Sequence, residues 1–172
     1  MDLKNKKVLI TGGSAGIGKA ILAELEYRGV RDIAVMGRRK EPLAALAAEF
    51  PAVNFRLLTG DVGRAADLDR AVATVTEAWG GLDILINNAG VVSAGLLTEA
   101  SDEDVINQIN INLTGLILLT KKCLPLLQQS KEGAIMNISS GYGYIAMPFY
   151  SVYAATKAAV SQFSDAMRRE LA

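Results

Sequence analysis

The run Thr11-Gly12-Gly13-Ser14-Ala15-Gly16-Ile17-Gly18 constrains this chain more than any other segment, because Val8-Leu9-Ile10 precedes it and an amphipathic helical pattern follows. An apolar segment that must turn at once into a helix needs residues without side chains at the turn, and glycine supplies them. The same geometry lets the backbone approach a pyrophosphate and aims the positive end of the next helix at it. The spacing Gly12-x-x-x-Gly16-x-Gly18 departs from G-x-G-x-x-G and lacks the Lys-Ser/Thr ending of a nucleoside-triphosphate loop. On these residues alone, a loop that merely turns the chain is the alternative.

The rest of the chain extends the pattern. Lys7 to Thr11, Asp32 to Met36, Asn54 to Leu58, Asp83 to Ile86 and Ala134 to Ile138 read as strands. Helices are expected at about Ile17 to Arg28, Pro42 to Phe50, Ala65 to Trp79, Asp102 to Gln129 and Ser151 to Ala172. Strict alternation of strand and helix predicts an α/β fold, a doubly wound parallel sheet of the Rossmann type with helices on both faces. Ligands then bind at the carboxyl ends of the strands. With no linker, repeat or low-complexity segment in 172 residues, the chain reads as one nucleotide-binding domain spanning 1–172.

Charge and composition narrow the partners. The chain has 18 basic and 18 acidic residues, and no basic cluster is longer than Arg38-Arg39-Lys40, so neither a nucleic acid nor a membrane surface is expected as partner. The apolar stretch after the basic start ends at Thr11, too short for a signal-peptide core, and no uncharged apolar run approaches the ~18 residues of a membrane span. A single cysteine, Cys123, rules out an internal disulfide and fits a reducing, cytoplasmic setting. The chain has no histidine, which removes the commonest metal ligand and the commonest acid-base group. No metal site is expected, and any proton chemistry must use another side chain.

About 20 residues past a dinucleotide loop, a site of this kind places an acid against the NAD ribose or an arginine against the 2′-phosphate of NADP. Here the second strand ends Met36-Gly37-Arg38-Arg39 with no carboxylate, which favours NADP over NAD, the alternative being a solvated basic turn. Asp61-Val62 follows the third strand, where a short acid could accept from the adenine amino group. Asn87-Asn88-Ala89-Gly90 follows the fourth, with small residues that let the backbone pass close to a ligand. Asn137-Ile138-Ser139-Ser140-Gly141 and Tyr153-Ala154-Ala155-Thr156-Lys157 close the series. The i, i+4 spacing puts Tyr153 and Lys157 on one helix face, and an ammonium beside a phenol favours the phenolate. By itself such a pair more often marks solvated neighbours than a reacting pair.

Taken together and in this order, the motifs resemble the classical short-chain dehydrogenase/reductase family. The resemblance rests on Thr11 to Gly18, Asn87-Asn88-Ala89-Gly90, Asn112 in Ile111-Asn112-Leu113, Ser140, and Tyr153 with Lys157, and covers nearly the whole chain. It implies that Tyr153 is the acid/base and that Lys157 holds the nicotinamide ribose. Ser140, thirteen positions before Tyr153, would hydrogen-bond the substrate oxygen, with Ser139 as the neighbouring candidate. Asn112 would hold a water that connects Lys157 to solvent. Gly12, Ser14, Gly16, Ile17, Gly18, Arg38, Arg39, Asp61, Val62, Asn88, Ala89 and Gly90, with Tyr153 and Lys157, would bind the cofactor. The implied reaction moves a hydride between nicotinamide and a carbonyl or alcohol.

Members of this family continue past the position of Ala172 with two further strands and the segments that close over substrate. The resemblance therefore implies a C-terminally truncated chain without the substrate lobe, whose fifth strand is an exposed edge. Ile111, Leu113, Leu116, Ile117, Leu118 and Leu119 on one long helix, and Ala155, Ala158, Ala159, Val160, Phe163 and Met167 on the other, carry more apolar surface than one sheet face needs. A homodimer or homotetramer through these helices is expected, core packing being the alternative. Tyr142, Tyr144, Ile145, Met147 and Phe149 form either an apolar pocket lip or a packed loop. A non-catalytic nucleotide-binding or assembly module is the competing function. A flavin site finds no support in the residues.

Overall fold

The computed structural model describes residues 2–171. Five parallel strands, β1 (Lys7–Thr11), β2 (Asp32–Gly37), β3 (Asn54–Thr59), β4 (Ile84–Asn87) and β5 (Ala134–Asn137), form one sheet in the order β3-β2-β1-β4-β5. The helices are α1 (Gly16–Tyr27), α2 (Lys40–Glu49), α3 (Ala65–Trp79), α4 (Asp102–Ile109), α5 (Gly115–Leu127) and α6 (Ser151–Glu170). No helix among the described residues is long and apolar enough to cross a membrane.

The alternation of side chains along β1 divides the core. Val8 and Ile10 join Ile33, Val35, Ile84 and Ile86 beneath Leu22 of α1 and Leu43 of α2. Leu9 faces the other way, with Ala34, Met36 and Leu85, against Leu68 of α3 and Leu119 of α5. A strand buried on both faces reads as an unbroken apolar run, which is why Val8-Leu9-Ile10 shows no polar alternation. Burial pushes the thiol of Cys123, in the α5 face of this core, up to about 12, so it packs as a small apolar group.

The long helix expected from Asp102 to Gln129 follows that course but is not uniform. Asn110–Thr114 forms a π-helical turn between α4 and α5, and a 3-10 turn covers Gly141–Gly143. One inserted residue leaves the apolar pattern on either side intact, so periodicity does not register it. The start of α4 is well marked, because the Ser101 hydroxyl accepts the Asp104 N–H at 3.1 Å and three acids occupy the first turn. The apolar residues expected to form a subunit contact are partly absorbed by the chain's own core. Ile111, Leu116, Leu119 and Val160 are buried, whereas Leu113, Ile117, Leu118 and Phe163 are half-covered, and Ile106 and Ile109 are exposed. Among the described residues β5 pairs only with β4, and an apolar groove of about 960 Å³ runs between its free edge and α5 and α6.

Asp83 fastens the amino-terminal edge of the sheet. Burial opposes its ionisation, but the Lys7 backbone N–H at 2.9 Å and the Ser130 hydroxyl at 2.5 Å hold the carboxyl below its ordinary value. A carboxylate so depressed stabilises the fold above about pH 4 and loses that contribution as pH falls through its lower native value. Asp83→Asn should therefore be less stable than the unmodified chain at neutral pH, with the gap closing below about pH 4 in urea titrations at stepped pH. A gap independent of pH would remove the charge from this account.

Candidate active site

The glycine loop leaves β1 at Thr11 and is held from two sides. The Gly12 N–H donates to the Met36 carbonyl at 2.8 Å, and the Thr11 hydroxyl accepts the N–H groups of Asn88 at 3.1 Å and Ala89 at 3.0 Å. Asn88 returns the contact, its Nδ2 donating to the carbonyls of Thr11 and Gly12, both at 3.0 Å. Gly18 lies directly against this knot: a Cβ there would stand 2.2 Å from the Gly12 carbonyl oxygen and 2.6 Å from Asn88 Nδ2. Only glycine fits that approach. No side chain caps α1 and no acid stands in its first turn, so its leading N–H groups are left without a side-chain partner. This is the electrostatic arrangement that binds a phosphate.

A cleft of about 320 Å³ opens beside the loop. Gly12 and Ser14 form one wall, Arg38 and Arg39 the second, Asp61 and Val62 the third, and Ala89 and Gly90 the floor toward β4. Gly16 and Ile17 stand exposed at the start of α1, while Gly18 and the Asn88 amide support the loop from behind. Arg38 and Arg39 are exposed and make no ion pair among the described residues. Asp61 Oδ1 accepts the Gly63 N–H at 2.8 Å, which fixes the turn that carries its carboxylate.

The second group of residues meets where α6 crosses the ends of β4 and β5. Lys157 is only 5% exposed, and its ammonium donates to the Ile138 carbonyl at 2.8 Å. It lies 5.8 Å from the centre of the Tyr153 ring and 3.5 Å from where a Cβ on Gly90 would be, so it spans the gap between the cleft and the tyrosine. Burial lowers its proton affinity below that of an ordinary lysine. Asn112, in the π-helical turn, accepts the Val91 N–H and donates to the Val91 carbonyl, both at 2.8 Å.

The two serines separate cleanly. The Ser139 hydroxyl donates to the Lys157 carbonyl at 2.8 Å and shares a hydrogen bond with Ser161 at 3.0 Å, so it is committed to α6. Ser140 instead accepts the Tyr142 N–H at 3.2 Å, and the Tyr142 ring sits edge-on to Tyr153 with centres 6.3 Å apart. Tyr144, Ile145, Met147 and Phe149 are exposed, so these side chains are not packed into the core. The segment is tied to the loop after β4 by the Gly95 N–H, which donates to the Phe149 carbonyl at 2.9 Å.

Several working residues left no distinct mark in the sequence. Thr156 reads as an ordinary member of a helix, and Thr11, although it heads the glycine loop, gives no sign in its spacing that its hydroxyl holds two N–H groups of another loop. Asn137 could have been found, since it sits in register beside Asn87 in a strand otherwise apolar. The Asn87 amide donates to it at 2.8 Å, and Asn137 donates on to Ser164 at 2.9 Å.

A parallel sheet with a glycine loop at its switch point and an uncapped helix start beside a cleft is the architecture of a dinucleotide-binding fold, and a lysine–tyrosine pair stands next to it. The short chain dehydrogenase family model matches residues 6–172, and the chain belongs to that family. It is similar to an uncharacterized oxidoreductase of Staphylococcus aureus, 29% identical over 170 residues, covering 99% of this chain and 73% of the relative. Among solved structures, a short-chain dehydrogenase from Streptomyces avermitilis is 31% identical with a TM-score of 0.89, and the match covers 98% of this chain and 61% of that one. A Brucella melitensis structure titled short-chain dehydrogenase/reductase SDR:Glucose/ribitol dehydrogenase is 33% identical with a TM-score of 0.91, covering 100% of this chain and 72% of that one.

The packing at Gly18 gives a direct test. Gly18→Ala should cost about 1–3 kcal/mol through overpacking against Asn88 and Gly12. Gly16→Ala should cost only about 1 kcal/mol, for a side chain in the left-handed region, because φ there is +51° and nothing lies within 4 Å. Urea midpoints distinguish the two, and equal losses would contradict the close approach at Gly18.

Proposed function

We propose that this chain is an NADP-dependent oxidoreductase that moves a hydride between nicotinamide and a carbonyl or alcohol substrate, with Tyr153 as acid/base. The observation that carries the reading is the position of Lys157, a buried ammonium reaching both the Gly90 side of the nucleotide cleft and the Tyr153 ring. The cleft fits a dinucleotide: the start of α1 offers free N–H groups to a pyrophosphate, Arg38 and Arg39 offer cations at the ribose end, and Asp61 offers an acceptor to the base. When bound, the nicotinamide supplies the hydride.

The chain's own residues handle the proton. Tyr153 gives its phenolic proton to the substrate oxygen in reduction and takes it back in oxidation. Ser140 donates a hydrogen bond to the same oxygen as negative charge develops there. Lys157 holds the ribose and keeps a positive charge beside the phenol, and Asn112 orders the water that connects Lys157 to solvent. The exposed lip at Tyr144, Met147 and Phe149 supports an apolar small-molecule substrate. The half-covered Leu113, Ile117 and Phe163, with exposed Ile106 and Ile109, support a homodimer or homotetramer through α4, α5 and α6. The single buried thiol supports a cytoplasmic setting.

Tyr153→Phe should lower NADPH-dependent reduction across a panel of aldehydes, ketones and vicinal diketones at least 100-fold. NADPH affinity, read by nicotinamide fluorescence, should stay unchanged. Retained turnover would remove Tyr153 from the mechanism, and NADPH binding with no turnover by the unmodified chain would favour a nucleotide-binding module. Arg38→Asp should weaken NADPH about 10- to 100-fold and leave NADH nearly unaffected; equal losses would place Arg38 away from the 2′-phosphate.

A further inference from the structure

Thr156 lies between Tyr153 and Lys157 in sequence, and its side chain is buried, with 3% exposure. Its hydroxyl donates to the Tyr153 carbonyl at 2.7 Å. The lone pair left over accepts the second Nδ2 hydrogen of Asn112 at 3.2 Å. Asn112, 1% exposed, uses its remaining donor and its acceptor on the two backbone groups of Val91. Every hydrogen of the amide is therefore assigned, and the direction of each bond is fixed by the next. The bond to the carbonyl one turn back selects one of the two χ1 wells open to a helical threonine.

We propose that Thr156 is a positioning residue: acting through Asn112, it sets the spacing between the loop after β4 and the turn of α6 that bears Tyr153 and Lys157. The role rests on the reading of Tyr153 and Lys157 as the reacting pair. The bonds run from Val91, through Asn112 and Thr156, to the Tyr153 carbonyl, and so link three separately packed segments. The loop they hold is the one Lys157 faces, since a Cβ on Gly90 would lie 3.3 Å from Asn112 Oδ1 and 3.5 Å from Lys157 Nζ. Hydrophobic contact cannot replace this link, because it fixes neither direction nor distance. Losing the hydroxyl leaves one Asn112 N–H unpaired, while the Tyr153 carbonyl keeps the backbone partner that its place inside α6 provides.

The test compares Thr156→Val, which keeps the shape and loses the hydroxyl, with Thr156→Ser, which keeps the hydroxyl. Thr156→Ala serves as a second hydroxyl-free variant if the valine does not fold. Hydrogen exchange at the Val91 amide should quicken about five- to tenfold in Thr156→Val and return to the unmodified rate in Thr156→Ser. On any carbonyl that the unmodified chain reduces, kcat should fall about tenfold in the valine variant. NADPH affinity should stay within about twofold, and serine should restore kcat. Unchanged Val91 exchange without the hydroxyl, or equal acceleration in valine and serine variants, would overturn the role of Thr156. Absence of turnover by the unmodified chain would instead overturn the hydride-transfer reading, and the exchange rates would still decide the link between Asn112 and Thr156.

Discussion

The site depends on the junction where β1 and β4 end side by side. Beyond the last strand pairing, Ile10 with Ile86, the chains stay joined because the Thr11 hydroxyl accepts two N–H groups and the Asn88 amide donates to two carbonyls. Two loops that leave a sheet at this point would otherwise diverge, since the ladder between β1 and β4 has ended. Four short bonds in a half-buried setting hold them instead, and each satisfies a backbone group that the turn would strand. The close approach at Gly18 follows directly: with Asn88 fixed above the loop, no space remains for a side chain on the helix beneath it.

On the other side of β4 the device is different. Helix α6 is not strongly apolar on its inner side and is seated largely by hydroxyls. Ser139 and Ser161 meet at the Lys157 carbonyl, Ser164 takes a bond from Asn137, and Thr156 takes one from Asn112. A greasy helix face can slide by a fraction of a turn at little cost, whereas a set of directed hydrogen bonds has one register. For a helix that sets a phenol and a buried ammonium beside the cleft, register matters more than burial area. The burial of Lys157 disfavours its charge, and the Ile138 carbonyl partly offsets that by accepting one of its hydrogens.

Much of this was legible in the sequence, for reasons tied to particular residues. Strand ends came within a residue because β-branched runs stop sharply at glycine, asparagine or aspartate. The glycine loop, the Asn87 to Gly90 turn and the Tyr153–Lys157 pair could be placed because spacing alone fixes which face or edge they occupy. What escaped were features whose cause is tertiary. The π-helical turn at Asn110–Thr114 leaves the apolar pattern on both sides unchanged. Ser139 and Ser140 are chemically identical until one is turned into α6 and the other toward Tyr142. The long helices read as carrying surplus apolar surface, yet Ile111, Leu116 and Leu119 fill the chain's own core. Pattern gives the direction a side chain faces, but not what already covers it.

The strand order explains why groups from distant parts of the chain converge. After β3 the chain crosses from one side of β1 to the other before entering as β4, so the helices that follow β1 and β4 pack on opposite faces of the sheet, and an opening lies beyond the bonds that tie the two loops together. The glycine loop fills one lip of that opening and the Asn88 to Gly90 turn the other. The next strand outward, β5, and the helix after it flank the same opening. Ser140 follows β5, and Tyr153 and Lys157 stand on α6. The π-helical turn then puts Asn112 within reach of Val91 and of Thr156 together, between α4, which packs on α6, and α5, which packs on β4 and β5. A regular helix would carry the same asparagine past one of those two partners, so the irregular turn is what lets one buried amide join the opening to the helix beside it.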